Sequence, residues 1–318
     1  EHVMSRVWAL LEQREGEDIA LNATGGTKPM SIAAHEVFRD WDKPIFYVHP
    51  EHDRVVWLHP SKRAPLELAH RVRLEAFLHA HGAVVDGGIQ REPVKPIHEN
   101  IGEVLVRDLR RFRPVLSRLN ALAVSAERNG LTSTQRLTEP PFKDVALTQL
   151  IDELEQQGLA KRRSDRLTFA DEADRFFVAG GWLESYVFQV IATLCATLRS
   201  IHDRGRSITV SRETPRGHVT TEVDVAFLAD NRLYIVECKT NRFDSNDHPE
   251  RAMEAVYRLD SLRDLLGGLQ ARAMLVSYQD IRPEDKQRAA DLGVRVCAGD
   301  KIQCLRNELA DWVGHTTR

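Results

Sequence analysis

The chain has 318 residues, 29% of them charged, and its 44 lysines and arginines against 47 aspartates and glutamates leave a formal net charge of −3. That length accommodates two domains with cores of their own, and so even a balance excludes a global basic field, so that any contact with nucleic acid has to be local. No run of about 18 apolar residues and no secretory leader pattern is found, which argues against a membrane span or export.

Taken in chain order, residues 2–14, HVMSRVWALLEQR, read as a helix. The next segment, DIALNATGGTKPMSIAAHEVF, reads as a short apolar strand, a Thr/Gly turn and a helix whose start is marked by Thr27 and Pro29. Such a turn aims backbone N–H groups and a helix N-terminus at whatever sits above it, and Gly25 and Gly26 let a ligand approach the backbone closely. An anion fits there, with Lys28 supplying charge and Asn22, Thr24 and Thr27 supplying hydrogen-bonding groups. The spacing is neither GxxxxGK nor GxGxxG, so ATP hydrolysis is not implied; the bland alternative is a glycine turn that merely starts a helix.

KPIFYVHP and DRVVWLHP read as two further strands, consistent with an α/β unit spanning 1–95. Residues 96–143 read as a helical linker, its helices broken at Pro114, that joins two domains or two subunits. Within 144–178 a helical stripe of Leu147, Leu150, Ile151 and Leu154 ends at Gly158, and LAKRRSDRLTFA alternates around a Ser164-Asp165 turn; helix plus hairpin resembles a winged helix serving as a spacer. Basic runs at Arg107, Arg110, Arg111 and Arg113 and at Lys161, Arg162 and Arg163 could contact phosphates, but solvated faces explain them as well.

From residue 179 to 318 the order is helix, three strands, helix, strand. GWLESYVFQVIATLCATLRS carries a buried stripe of Leu183, Val187, Val190, Ile191, Leu194 and Leu198, with Glu184 in its first turn beside it. SITVSRE, VTTEVDVAFL and RLYIVECKT follow, and Asp230-Asn231 is a plausible hairpin turn between the last two. Val223, Val225 and Phe227 fall on one face by alternation. If Ala229 pairs with Arg232, counting back puts Asp224 opposite Glu237 and Glu222 opposite Lys239, while Cys238 points into apolar packing. Two acids facing each other repel, and a divalent cation held by oxygen ligands would neutralise them. Lys239 can then orient a water beside the metal. Strand-borne charges facing solvent are the bland reading of this hairpin. For Glu184 it is a favourable acid at a helix N-terminus.

The acid on one strand followed by Glu237, Cys238 and Lys239 on the next resembles the PD-(D/E)xK nuclease superfamily, and the NATGGTKPM string resembles the ligand loop of the CARF domain, a Rossmann-like sensor of cyclic oligoadenylates in type III CRISPR immunity. Together the two regions, covering nearly the whole chain, are similar to CARF-nuclease effectors. The resemblance implies an α/β chain with a Rossmann-like CARF sensor, a small winged-helix-like linker unit and a PD-(D/E)xK restriction-endonuclease-like domain. It implies catalytic roles for Glu184, Asp224, Glu237 and Lys239, with Mg2+ or Mn2+ held by Glu184, Asp224, Glu237 and the Cys238 carbonyl. It also implies an oligoadenylate loop of Asn22, Thr24, Gly25, Gly26, Thr27, Lys28 and Met30. The expected activator is the cyclic tetra-adenylate, the expected substrate DNA or RNA, and the expected assembly a homodimer in which two identical loops face a cyclic ligand. The chain opens on a helix-like stretch where a CARF domain opens on an apolar strand and loop, so either the start is incomplete or part of the ligand pocket differs.

The four cysteines, Cys195, Cys238, Cys297 and Cys304, form no CxxC pair and read as reduced thiols of a cytoplasmic protein. None of the thirteen histidines forms an HxH or HExxH pattern. His218 and His248 are expected in loops flanking the hairpin, where a substrate contact for His248 is the minority reading. Two rival functions stay open: a ligand-responsive transcription regulator that works through the winged-helix-like unit, and a constitutive repair or restriction nuclease.

Overall fold

The computed structural model describes residues 2–49, 54–67, 71–214, 217–240 and 251–314. The chain divides into two compact units, residues 1–70 and 71–318.

The first unit holds α1 (His2–Gln13), β1 (Leu21–Asn22), α2 (Lys28–Asp40), β2 (Ile45–His49), β3 (Arg54–His59) and β4 (Leu66–Glu67). Its sheet runs β1-β2-β3-β4, with β1 parallel to β2 and the remaining pairs antiparallel. A small core of Leu11, Val37, Phe38 and Ile45 pins the two helices to the sheet. The βα step from β1 into α2 follows from sequence: an apolar strand, glycines, then Pro29 where a helix needs no donor.

The second unit begins with α3 (Leu74–Ala80), β5 (Val84–Asp86), α4 (Pro96–Arg107), α5 (Leu109–Ala126), α6 (Val145–Gln156), β6 (Ala160–Arg163), β7 (Arg166–Phe169) and α7 (Glu172–Phe176). A π-turn at Phe177–Gly181 leads into α8 (Trp182–Cys195), β8 (Ile201–Thr214), β9 (Gly217–Ala229) and β10 (Arg232–Lys239). The chain closes with α9 (Arg251–Gly267), β11 (Arg272–Ser277), α10 (Pro283–Asp291), β12 (Val294–Ala298) and α11 (Leu305–Gly314). A six-stranded sheet, ordered β12-β11-β10-β9-β8-β5, is buried on both faces. Val225, Phe227, Tyr234, Val236 and Cys238 pack against α4, α5, α8 and α11, whereas Ala226, Leu228, Leu233 and Ile235 pack against α3, α9 and α10.

Several expectations change. The division falls at residue 70 rather than 95, because β5 pairs antiparallel with β8 and so extends the second sheet by an edge strand. Residues 96–143 are no linker: Ile101, Leu105, Leu109, Phe112, Leu116 and Leu119 are buried under the six-stranded sheet. The helix break lies at Asp108, while Pro114 stands inside α5. The α6–β6–β7 unit forms as expected, with Asp144 capping α6 and Ser164 at φ 57°, but its Leu147, Leu150 and Leu167 share the same core rather than forming one of their own. The helical run 172–195 is long and apolar enough to cross a membrane. Trp182, Leu183, Val187, Phe188 and Ile191 on it are buried, which is what a core helix requires.

Several arginines of the basic runs are engaged by the protein's own acids. Arg110 and Arg113 pair with Asp300, Arg113 also with Asp280, and Arg162 with Asp152 and Glu155. His218 sits on β9 opposite Glu213 rather than in a loop, and His248 lies outside the described residues. Cys238 and Cys297 are buried thiols as expected, but Cys304 is exposed.

Candidate active site

The hairpin forms in the expected register. Asp230 and Asn231 both take positive φ, 46° and 55°, as a tight two-residue turn demands. Arg232 pairs with Ala229, and the ladder continues to Val236–Val225. There it ends, one pair before the step that would set Asp224 directly across from Glu237. Asp224 Oδ2 instead accepts the Cys238 backbone N–H at 2.7 Å, so a side chain takes over the bond that the ladder drops.

A distortion on the other side of β9 helps. Arg206 pairs with Val225 and Ile208 with Val223, and between them Ser207 adopts φ 46° opposite Asp224. The strand rolls over at that point. Val223 therefore joins the layer of Ala226 and Leu228, not the layer of Val225 and Phe227 where simple alternation places it. Ser207 Oγ lies 3.5 Å from Glu184 Oε2, so the same distortion turns β8 toward α8.

Glu184 enters from the first turn of α8, which starts abruptly because two glycines precede it. Gly180 has φ 139°, and a Cβ there would stand 3.0 Å from Thr240 Oγ1; a Cβ on Gly181 would stand 2.5 Å from the Phe176 ring. Asn120, buried on α5, hydrogen-bonds the Thr240 hydroxyl at 3.0 Å. The residue after Lys239 is thereby tied to α5 and stands against the Gly180 turn that launches Glu184. Glu184 also lines a cleft of about 630 Å³ with Arg206, Ser207 and Glu222.

Glu237 is the most deeply placed acid, at 1% exposure. Lys239 Nζ stands 2.6 Å from its Oε1. Arg258 Nη2, from α9, donates to both carboxylate oxygens at 2.7 and 2.8 Å. Burial pushes the Asp224 carboxyl up to about 7, with the Glu237 charge adding to it and Lys239 opposing. Burial likewise pushes Glu184 up to about 8, reinforced by Asp224 and Glu222. For Lys239, burial disfavours the charge, but Glu237 and Asp224 outweigh it and hold the ammonium above its usual range. The Cys238 thiol is pushed well up by burial and faces the core, leaving only its backbone for the site.

All four expected catalytic side chains therefore influence one another in one place. Among the described residues, no three acids, histidines or cysteines are already gathered as a metal cage. The donor chemistry nevertheless suits a hard divalent cation: carboxylate oxygens in a low-dielectric pocket, two of them held above their normal titration range by burial and mutual repulsion. The sequence reading missed Arg258 and Ser207. An isolated arginine on an amphipathic helix and a serine in a strand carry no spacing signal.

In the first unit, the Thr/Gly turn is built as expected and is exposed from Thr24 to Met30. Asn22 Oδ1 accepts the Thr24 N–H at 3.0 Å, Thr24 Oγ1 accepts the Val48 N–H at 2.8 Å, and Ser31 Oγ donates to the Gly25 carbonyl at 2.8 Å. Asn22 and Thr24 thus use these oxygens to shape the loop. Gly26 supplies φ 82°. Thr27, at the N-cap of α2, makes no side-chain cap bond, so its hydroxyl is not spent on its own helix.

Residues 3–77 match the family described as the Card1 CARF domain, and residues 170–316 match the Card1-like endonuclease domain. Protein VC1899 from Vibrio cholerae is 31% identical, with a TM-score of 0.84 over 99% of this chain and 81% of that one. Can2 from Sulfobacillus thermosulfidooxidans, solved in complex with cyclic tetra-adenylate, is 24% identical, with a TM-score of 0.75 over 98% of this chain and 80% of that one, and shares the fold. Among curated proteins nothing matches.

Proposed function

The chain belongs to the Card1-like family, a CARF domain followed by an endonuclease domain, and from that membership we propose that it cleaves phosphodiester bonds of DNA or RNA when a cyclic oligoadenylate, most simply the cyclic tetra-adenylate, occupies the loop before α2. The observation that carries this reading is the cluster at the end of β10: Asp224, Glu237 and Glu184 in electrostatic contact around Lys239.

Asp224, Glu237 and the Cys238 carbonyl would hold Mg2+ or Mn2+, with Glu184 completing the oxygen set, and the ion would supply Lewis-acid polarisation of the scissile phosphate and a lower pKa for the attacking water. Lys239 keeps its ammonium charged beside Glu237 and positions that water, while its charge offsets that of the phosphate. Asn120 and Thr240 fix the strand end on which Lys239 sits.

In the sensor, Gly25 and Gly26 bring backbone N–H groups to the ligand, and Thr27, Lys28 and Met30 contribute side chains from the start of α2; Asn22 and Thr24 act by holding the loop's shape. Two chains related by two-fold symmetry present two such loops to one cyclic ligand. Activation requires only that the ligand bind one of two conformations more tightly than the other. The protein then serves type III CRISPR antiviral defence in the cytoplasm.

The test is to incubate the full chain with Mn2+ and, separately, RNA, single-stranded DNA and supercoiled plasmid, with and without cyclic tetra-adenylate. Cleavage of at least one substrate only with the activator is expected. Equal cleavage without it would leave a constitutive nuclease, and metal-independent sequence-specific binding without cleavage would leave a transcription regulator.

A further inference from the structure

Both carboxylate oxygens of Glu237 are taken, and the group that takes both is one that the nuclease reading does not assign. Arg258 Nη2 sits 2.7 and 2.8 Å from them, so a guanidinium already occupies oxygens that a metal ion would have to share. At 1% exposure Glu237 cannot be left unpaired without a heavy cost, so some cation has to be present at all times. Two candidates flank it. Lys239 belongs to the same strand, two residues on, with its side chain 32% exposed; Arg258 reaches in from α9 with its side chain 47% exposed. Arg258 is the more exposed of the two and the one that comes from another element, so it can leave without moving the strand that carries Glu237. A guanidinium and a divalent cation on one carboxylate would also repel each other, and a guanidinium freed from Glu237 has the fork geometry that suits a phosphate.

We propose that Arg258 is a two-position latch: it holds Glu237 in the resting protein and transfers to a phosphate of the nucleic-acid substrate when the site is loaded, so that substrate and metal reinforce each other's binding. The inference rests on the metal-dependent nuclease reading and extends it. Arg258 masks the acid cluster in the absence of substrate, which limits idle metal loading. In the working state it becomes a substrate-contacting group. Linkage makes the effect reciprocal: whatever draws Arg258 off Glu237 raises metal affinity, and metal on Glu237 raises phosphate affinity.

The experiment is calorimetric titration of Mn2+ alone into the full-length wild type, Arg258→Met and Glu237→Gln, followed by steady-state cleavage at saturating Mn2+ and activator. The latch requires Arg258→Met to bind Mn2+ about ten-fold or more tightly than wild type, a change that a merely structural role would not produce. It also requires the KM for the nucleic-acid strand to rise by about ten-fold, the loss of a charge-assisted phosphate contact. If Arg258→Met does not fold, Arg258→Gln, which is neutral but keeps a hydrogen-bonding head, is titrated in its place with the same expectation. Mn2+ binding that is lost in Glu237→Gln but unchanged or weakened in the Arg258 variant overturns the latch and leaves the nuclease reading standing. Absence of any Glu237-dependent Mn2+ binding in wild type and Arg258 variant alike overturns the metal-dependent reading, and the latch with it.

Discussion

A carboxylate at 1% exposure survives only with cations beside it, and Glu237 has Lys239 at 2.6 Å and Arg258 at 2.7 Å. Asp224 is less well served. Its one described hydrogen bond comes from a neutral N–H, and burial beside Glu237 lifts its carboxyl to about 7. A folded-state value raised above the unfolded one means that the folded state holds protons more tightly. Stability is therefore fully present below the unfolded value, near 4, and is lost as pH climbs toward 7. Asp224→Asn keeps an oxygen to accept the Cys238 N–H and removes that penalty. In thermal melts of the metal-free protein we expect the variant to melt above wild type at pH 8, by on the order of 1 kcal/mol or a few degrees, and the gap to shrink through pH 5 and close near pH 4. An equal difference at pH 8 and pH 4 would show that the carboxylate's ionisation is not the cause. If Asp224 holds the metal as proposed, the same substitution should lower cleavage by at least about a hundred-fold, since a direct ligand would be worth more than its supporting contacts. A site that gains stability when it loses activity is the trade expected of a functional cluster.

Elements, rather than side chains, decide how close Glu184 comes to Asp224. The π-turn at Phe177–Gly181 starts α8 where an ordinary helical continuation of α7 would not, and Gly180 at φ 139° is its pivot. Gly180→Ala forces a side chain into a conformation costing about 1–3 kcal/mol and presses on Thr240, whose hydroxyl binds Asn120. We expect a drop in Tm of several degrees and a fall in cleavage larger than that in Asn120→Ala, which removes the tie to Thr240 but leaves Gly180 in place. Equal activity in Gly180→Ala and wild type would separate the turn from the chemistry. The roll of β9 at Asp224 was not legible in the sequence, because alternation assumes an unbroken ladder and Ser207 gives no warning of its φ of 46°. What was legible were the turn at Asp230-Asn231, the register it sets as far as Val225–Val236, and the helix bearing Glu184. Each depends on local periodicity or turn chemistry. Arg258 depends on how α9 docks against β10, and strand β5 on a pairing with β8 more than a hundred residues away; neither leaves a local trace.

At the scale of the whole molecule, two units carry two independent constellations. The cluster around Glu237 belongs to residues 71–318 and the Thr/Gly loop to residues 1–70. The sequence separated the two regions while misplacing their border, since nothing local in residues 71–95 says which core Leu74, Leu78 and Ala83 join. If the loop is the sensor, Lys28→Ala should raise the activator concentration giving half-maximal cleavage by about ten-fold, the loss of one charge-assisted contact. Cleavage at saturating activator should be retained.

The most direct measurement runs Glu237→Ala and Lys28→Ala in parallel, recording binding of labelled cyclic tetra-adenylate and Mn2+-dependent cleavage for each. The account expects Glu237→Ala to bind the activator as wild type does and to cut nothing, and Lys28→Ala to bind it more weakly and to cut once enough is added. Loss of both binding and cleavage in a well-folded sample of either variant would contradict a sensor and a nuclease built from separate sites.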